Sequence, residues 1–305
     1  VRFSNVRGLL ACARHRANNQ RIARSTLSAT VKGTPMSRRL EGQTAWISGG
    51  ASGIGEATAR LFAAEGARVL VADVQADRGR ALEASLRAAG RTALYDECDV
   101  TREEAVRASL ERAAQMFGGL QILVSCAGIV HVKPLHEYSV DEWDRLMAVN
   151  LRSIFFAIKH GIGHLRRYPR SYMVNIGSIS SYVGQAGTPA YTASKGAVLL
   201  LSQSIALDYA ADGLRCNCVC PGITDTPMLR HHLHAAADPA GTLATRLRRV
   251  PLGRALTPDD VARTVLYLSC EDSAGVTGTS VIVDGGYLAA AEWDTPRITL
   301  PDDLS

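Results

Sequence analysis

The chain has 305 residues, of which 47% are hydrophobic and 21% charged, enough apolar content to bury one large core without disulfides or structural metals. No stretch approaches the roughly 20 consecutive apolar residues that span a bilayer, so no membrane is expected as a partner. The net charge of +5 is confined to the first 35 residues, which hold six arginines, Lys32 and no acid; the remainder carries −2, which argues against nucleic acid as a partner.

Residues 1–37 form a basic leader that supports two readings. Arginine-rich, Ser/Thr-containing and acid-free, it is similar to an organellar transit peptide. Met36, followed by Ser-Arg-Arg-Leu-Glu-Gly-Gln-Thr-Ala, instead suggests a start at Met36 preceded by an upstream extension. The second reading is preferred, and the composition is that of a disordered segment under either.

Thr44-Ala-Trp-Ile-Ser48 reads as a short buried strand running into Gly49-Gly-Ala-Ser-Gly-Ile-Gly55, and Glu56 to Glu65 carries a helical pattern. Glycines at a strand-to-helix turn permit tight geometry and close backbone approach, while the helix amino terminus offers free N–H groups to a pyrophosphate. The next strand, from Arg68, ends at Asp73, eighteen residues past Gly55, where an acid accepts hydrogen bonds from an adenosine ribose. Val74 and Gln75 offer no cation for a 2′-phosphate. NAD is therefore favoured over NADP, although Arg78 softens the preference.

A helix near Asp77 to Ala89, a strand from Thr92 to Cys98, a helix from Arg102 to Phe117, a strand from Gln121 to Val124 and one long helix from Asp141 through His164 follow. A buried strand from Tyr172 to Gly177 leads into Ser178, and a long helix begins at Ala190. The strand Leu214 to Val219 leads into Pro221-Gly222, and a helix from Pro258 to Leu268 and a strand from Thr279 to Val283 close the pattern. Strands alternating with helices of ten or more residues imply an α/β fold: one doubly wound, Rossmann-like parallel sheet of about seven strands, helices on both faces, joined by right-handed crossovers. This domain occupies residues 38–288, and residues 289–305 form a tail that reads as an arm or a frayed end.

Tyr191 and Lys195 lie four positions apart at the start of the long helix, so they share a face and the ammonium lies beside the phenol. A phenol titrates near 10, too high for a base at neutral pH, and a nearby cation lowers it toward the useful range. Such pairs are common on solvated helices. Here Ser178 stands at the carboxyl end of a buried strand, where ligands of open parallel sheets bind.

Taken together, these residues resemble the short-chain dehydrogenase/reductase family over about positions 38 to 288. Ser48-Gly49 to Gly53-Ile54-Gly55, enclosing Ser52, is similar to the family's Thr-Gly-x-x-x-Gly-Ile-Gly, with serine for threonine. The resemblance implies that Asp99 and Val100 contact the adenine, that Asn150 holds a water against the lysine, and that Ser178, Tyr191 and Lys195 complete a catalytic tetrad. Pro221-Gly222, with Thr224 and Thr226, matches the element that holds the nicotinamide carboxamide. Where the family shows Asn-Asn-Ala-Gly, this chain has Ser125-Cys126-Ala127-Gly128, a change expected to weaken the bracing of the sheet and leave the chemistry intact.

The resemblance implies an NAD-dependent oxidoreductase that moves a hydride between a secondary alcohol or ketone and nicotinamide, with Tyr191 as acid or base. The substrate wall is expected at Ile129, Val130 and His131, at Ser180, Tyr182 and Gln185, and on a lid from Ile223 to about Val250 that includes Met228, Leu229 and Leu233. An alicyclic or aliphatic alcohol, a steroid or a sugar suits such a wall. Apolar residues on several faces of the two long helices, Phe155, Phe156, Leu199, Leu200 and Leu201 among them, imply a homodimer or homotetramer.

No metal site is expected. Cys216, Cys218 and Cys220 alternate along a strand as small core residues, and His231, His232 and His234 fall in the lid. Seven cysteines without framework spacing fit a reducing cytoplasm. Three rival functions compete: an NADPH-dependent 3-oxoacyl carrier-protein reductase of the same family, an NAD sensor without turnover, and a nucleic-acid or anionic-membrane binder acting through the leader.

Overall fold

The computed structural model describes residues 38–234, 236–290 and 298–301; the basic leader lies outside them. Seven strands form one sheet in the order β3-β2-β1-β4-β5-β6-β7, and every neighbouring pair is parallel. The strands are β1 (Thr44–Ser48), β2 (Arg68–Asp73), β3 (Ala93–Glu97), β4 (Ile122–Ser125), β5 (Ser171–Ile176), β6 (Leu214–Pro221) and β7 (Ser280–Val283).

Alternation along the buried strands supplies both faces of the sheet with apolar side chains, as a doubly wound fold requires. On one face Trp46, Leu70, Leu123, Met173, Cys216 and Cys218 pack with the helices α3 (Glu103–Phe117), α5 (Ser153–Leu165) and α6 (Pro189–Tyr209). On the other, Ile47, Val71, Val124, Val174 and Val219 pack with α1 (Gly53–Ala64), α2 (Ala76–Ala88) and α9 (Pro258–Leu268). Local signals set the helix ends. Thr257 and Asp260 form a reciprocal capping box at the start of α9, Pro189 occupies the first turn of α6, and Gly118 closes α3 in the left-handed region at φ 76°.

The helix expected from Asp141 through His164 is interrupted. It comprises α4 (Val140–Met147), a π-helical turn over Ala148–Arg152, and α5. Asn150 lies in that turn, which shifts its register without breaking the apolar stripe, so periodicity conceals it.

The strand order reverses between β1 and β4, and the crevice at their carboxyl ends is where a ligand of this fold binds. Over it lie α7 (Pro227–His234) and α8 (Pro239–Leu247), which share a small core of their own, Leu233, Leu243, Leu247 and Val250. Ile298 and Leu300 pack against this core, and the Thr299 amide donates to the Gly253 carbonyl at 2.7 Å. That part of the tail is an arm docked on the lid's base. Among the described residues no helix is long and apolar enough to cross a membrane.

Candidate active site

The β1–α1 turn forms one end of a cleft of about 760 Å³. Gly49 and Gly53 adopt φ of +63° and +54°, a region that costs side-chain-bearing residues steric energy. At Gly55 an added Cβ would lie 2.1 Å from the Gly49 carbonyl oxygen, so the helix can start against the turn only with glycine there. Ser52 precedes α1 without capping it through its side chain, which leaves the first amides of the helix facing the cleft for an anion.

Asp73 ends β2 almost fully buried, and its carboxylate is held from two sides. Oδ2 accepts from the Ala51 amide at 3.0 Å, while Oδ1 accepts from the Gln75 amide at 3.0 Å. This fixes the carboxylate against the glycine turn. At Asp99 burial pushes the carboxyl up, but the Thr101 amide and hydroxyl, with the charges of Arg145 and Arg102, bring it below the usual carboxylate range. Burial pushes the Cys98 and Cys126 thiols up to about 12, so both stay protonated.

At the far end stand Ser178, Tyr191 and Lys195. Lys195 is 4% exposed; its ammonium donates to the Ile176 carbonyl at 2.7 Å and sits 5.6 Å from the centroid of the Tyr191 ring. Ser178 Oγ accepts from the Ser180 amide at 3.1 Å, and Ser181 Oγ donates to the Lys195 carbonyl at 2.7 Å, joining the loop after β5 to α6. Asn150 is buried behind the cleft wall. Its Oδ1 accepts from the Ile129 amide at 2.8 Å, and its Nδ2 donates to the Ile129 carbonyl at 2.9 Å and to Ser194 Oγ at 3.0 Å. A Cβ on Gly128 would stand 3.6 Å from Asn150 Oδ1 and 3.7 Å from Lys195 Nζ, so that glycine keeps the wall thin between the two.

The cleft wall includes Gly49, Ser52 to Gly55, Asp73, Asp99, Val100, Cys126 to Gly128, Pro221, Gly222, Thr224 and Thr226, together with Ser180, Gln185 and Met228. Three residues expected there are elsewhere. The Tyr182 hydroxyl pairs with Ser280 Oγ on β7, because the single 3-10 turn Ile179–Ser181 carries that side chain away from the cleft. His131 packs edge-on against Tyr138 at 6.2 Å and is absent from the wall. Leu233, expected on the lid's inner side, belongs to the lid's own core. His232, expected in the lid, lines the cleft; the sequence reasoning missed Arg145, Arg246, Arg249 and Tyr287, which line it too and which no motif marks.

A groove with a glycine cradle, an uncapped helix start, an acid at one end and a Ser, Tyr and Lys group at the other fits a dinucleotide. The family model described as enoyl-(acyl carrier protein) reductase matches residues 49–288. The chain belongs to the short-chain dehydrogenase/reductase family. It is an oxidoreductase of CH–OH groups that works with a nicotinamide cofactor. A cis-4-hydroxycyclohexanecarboxylate dehydrogenase of Sinomonas cyclohexanicum is 41% identical over 248 residues, which cover 81% of this chain and 97% of the relative. A 3-alpha-(or 20-beta)-hydroxysteroid dehydrogenase of Mycobacterium bovis is 35% identical over 254 residues, 83% of this chain and 92% of the relative. Among solved structures, a dehydrogenase/reductase from Sinorhizobium meliloti 1021 has a TM-score of 0.76 at 34% identity, covering 82% of this chain and 97% of that one.

Proposed function

We propose that the protein interconverts an alicyclic secondary alcohol and its ketone, with NAD as the partner in hydride transfer. The observation that carries this reading is the buried Lys195 ammonium, held on the Ile176 carbonyl beside the Tyr191 ring in the same cleft as Asp73. The alicyclic substrate class is supported by the two relatives, whose names specify a hydroxycyclohexane and a hydroxysteroid.

The glycine turn and the amides of Gly53, Ile54 and Gly55 would hold the pyrophosphate, Asp73 the adenosine ribose, Asp99 and Val100 the adenine, and Pro221, Gly222, Thr224 and Thr226 the carboxamide end. When bound, the nicotinamide supplies the hydride acceptor or donor. Asp73 is a buried carboxylate that would accept from the ribose hydroxyls, and its charge would repel a 2′-phosphate, which favours NAD over NADP.

In oxidation Tyr191 Oη accepts the proton of the substrate hydroxyl, and in reduction it returns one. Lys195 stabilises negative charge on that oxygen through its uncompensated ammonium and bonds the nicotinamide ribose. Ser178 Oγ holds and polarises the substrate oxygen. Asn150 anchors the water path by which protons reach solvent behind Gly128. Ser180, Gln185 and Met228 bound the substrate space.

A second copy of the chain is the proposed partner for an exposed groove lined by Met147, Leu151, Phe155, Ala197 and Leu201 between α4, α5 and α6. Phe155 is 48% exposed and Leu200 64%, and the family pairs these helices between subunits.

The deciding experiment measures NADH and NADPH formation on a panel of cyclohexanols, steroid alcohols and sugars, with Tyr191→Phe as control. Turnover with NAD on an alicyclic alcohol, lost in the control, supports the reading. Activity confined to acyl thioesters with NADPH would replace it with the carrier-protein reductase.

A further inference from the structure

We propose that Arg246 and Arg249 form an anion clamp at the substrate end of the cleft, and that the alcohol this enzyme uses carries a carboxylate. The proposal rests on the alcohol-oxidoreductase reading above and specifies its substrate class.

The charge distribution along the cleft is asymmetric. Among the described residues its only acids are Asp73 and Asp99, both at the nucleotide end, and the lid side contributes Arg246, Arg249 and His232. Arg246 lies in the last turn of α8 and Arg249 in the turn that follows it, and both line the cleft. Neither guanidinium has a carboxylate partner among the described residues. Two other arginines at the edges of the lid are neutralised: Arg230 pairs with Asp225 at 2.8 Å and Arg254 with Asp260 at 2.8 Å. Two cations that line one cleft with no carboxylate partner among the described residues favour an occupant that supplies the missing charge.

Their surroundings place them away from the pyrophosphate cradle. The Arg249 guanidinium lies 5.3 Å from the centroid of the Tyr287 ring, a contact that holds the cation without neutralising it. Burial pushes the His232 imidazole down, the Val130 backbone opposes this, and the charges of His231, Arg246 and His131 add to the effect. Arg246 is therefore close to the loop that follows Gly128, on the substrate side, and His232 beside it is a neutral hydrogen-bonding group. A planar carboxylate matches the fork of a guanidinium in a way a neutral ring substituent cannot.

The test uses the full chain loaded with NAD⁺ and calorimetric titration of two ligands that lack a reacting hydroxyl, cyclohexanecarboxylate and cyclohexanecarboxamide. The clamp predicts that the carboxylate binds roughly 10- to 100-fold more tightly than the amide, the range of a charge-assisted hydrogen bond lost. Arg246→Gln and Arg249→Gln, made singly, each shrink that ratio, and the dissociation constant of NAD⁺ moves by less than about threefold. In turnover, the kcat/KM ratio of 4-hydroxycyclohexanecarboxylate to its amide falls in the same variants through KM. Equal binding of the two ligands by the wild-type protein overturns the clamp, and this comparison needs no variant to fold. Loss of NAD⁺ affinity matching the loss of carboxylate affinity also overturns it, because the arginines then serve the nucleotide's phosphates. If no alcohol is oxidised, the oxidoreductase reading falls while the titration still decides the clamp; if charged and neutral alcohols are oxidised equally well, the clamp falls alone.

Discussion

The ammonium of Lys195 donates a 2.7 Å hydrogen bond to the carbonyl oxygen of Ile176, tying α6 to the end of β5 two residues before Ser178. The bond uses one of three donor positions, and among the described residues no carboxylate lies within ion-pair distance of the nitrogen. Its charge is thus positioned by the main chain rather than neutralised by an acid, which is what the proposed roles toward the neighbouring phenol and a bound ribose require. Burial strengthens the effect, since a charge near a surface is screened and one inside is not.

Replacing Tyr191 with phenylalanine removes the proposed proton-transfer oxygen and leaves the ring packed. We expect kcat to fall by about 10²- to 10⁴-fold, the usual contribution of a positioned acid or base. NAD⁺ affinity, measured by calorimetry, should stay within about threefold. Equal loss of binding and turnover would assign the residue to the cofactor instead.

Asp73→Ser combined with Val74→Arg exchanges a fixed carboxylate for a cation at the ribose end. The ratio of kcat/KM for NAD to that for NADP should fall by at least about tenfold, corresponding to roughly 1.4 kcal/mol. The Ala51 and Gln75 amides also lose their acceptor, so the doubly substituted protein should unfold at lower urea concentration than the wild type.

At Gly55 a methyl group would collide with the Gly49 carbonyl oxygen at 2.1 Å. Gly55→Ala should therefore push α1 away from the turn, and the loss of nucleotide affinity should exceed the loss of thermal stability. NAD⁺ binding unchanged in this variant would contradict the cradle.

Ser125 and Asn175 face each other in register on β4 and β5, and Ser125 Oγ and Asn175 Oδ1 are both buried without a hydrogen-bond partner. A buried unsatisfied hydroxyl costs about 1–3 kcal/mol. Ser125→Ala should leave activity in place and raise the urea midpoint, by about 1 kcal/mol in unfolding free energy; a lower midpoint would mean the hydroxyl is satisfied.

Arg254 beside Asp260, with the Thr257 amide, holds that carboxyl at about 2, against an ordinary value of 3.8. Because the folded-state value is depressed, the stabilisation is complete above the ordinary value and is lost as pH falls through about 2. Arg254→Met should lower the urea midpoint at pH 6, and the gap to wild type should narrow between pH 4 and pH 2.

Much of this protein is written in short-range patterns. The β1–α1 turn is legible because glycines, strand and helix are contiguous, and Tyr191 with Lys195 because helical geometry alone puts positions four apart on one face. Asp73 is legible because a strand's last residue must emerge at the sheet's carboxyl edge. Elsewhere the pattern is silent. Tyr182 is only four residues from Ser178, yet a single turn of 3-10 helix sends it to Ser280, and such a turn leaves no mark in hydrophobic periodicity. The π turn at Asn150 is invisible for the same reason: one altered register barely disturbs a stripe of apolar residues.

What the sequence determined by itself is the doubly wound sheet, the glycine turn and the pairing of Tyr191 with Lys195, since each depends on contacts within one element or between consecutive ones. What only the tertiary structure decided is the character of the substrate end. Arg246 and Arg249 lie more than fifty residues beyond Tyr191, on a lid with its own small core, whereas Arg230 and Arg254 find Asp225 and Asp260 five and six positions away. Whether an arginine is neutralised depends on which carboxylates the fold brings within a few ångströms. That Arg246 and Arg249 share a cleft with Ser178 and Tyr191 is set by the packing of segments distant along the chain, and no one-dimensional pattern records it.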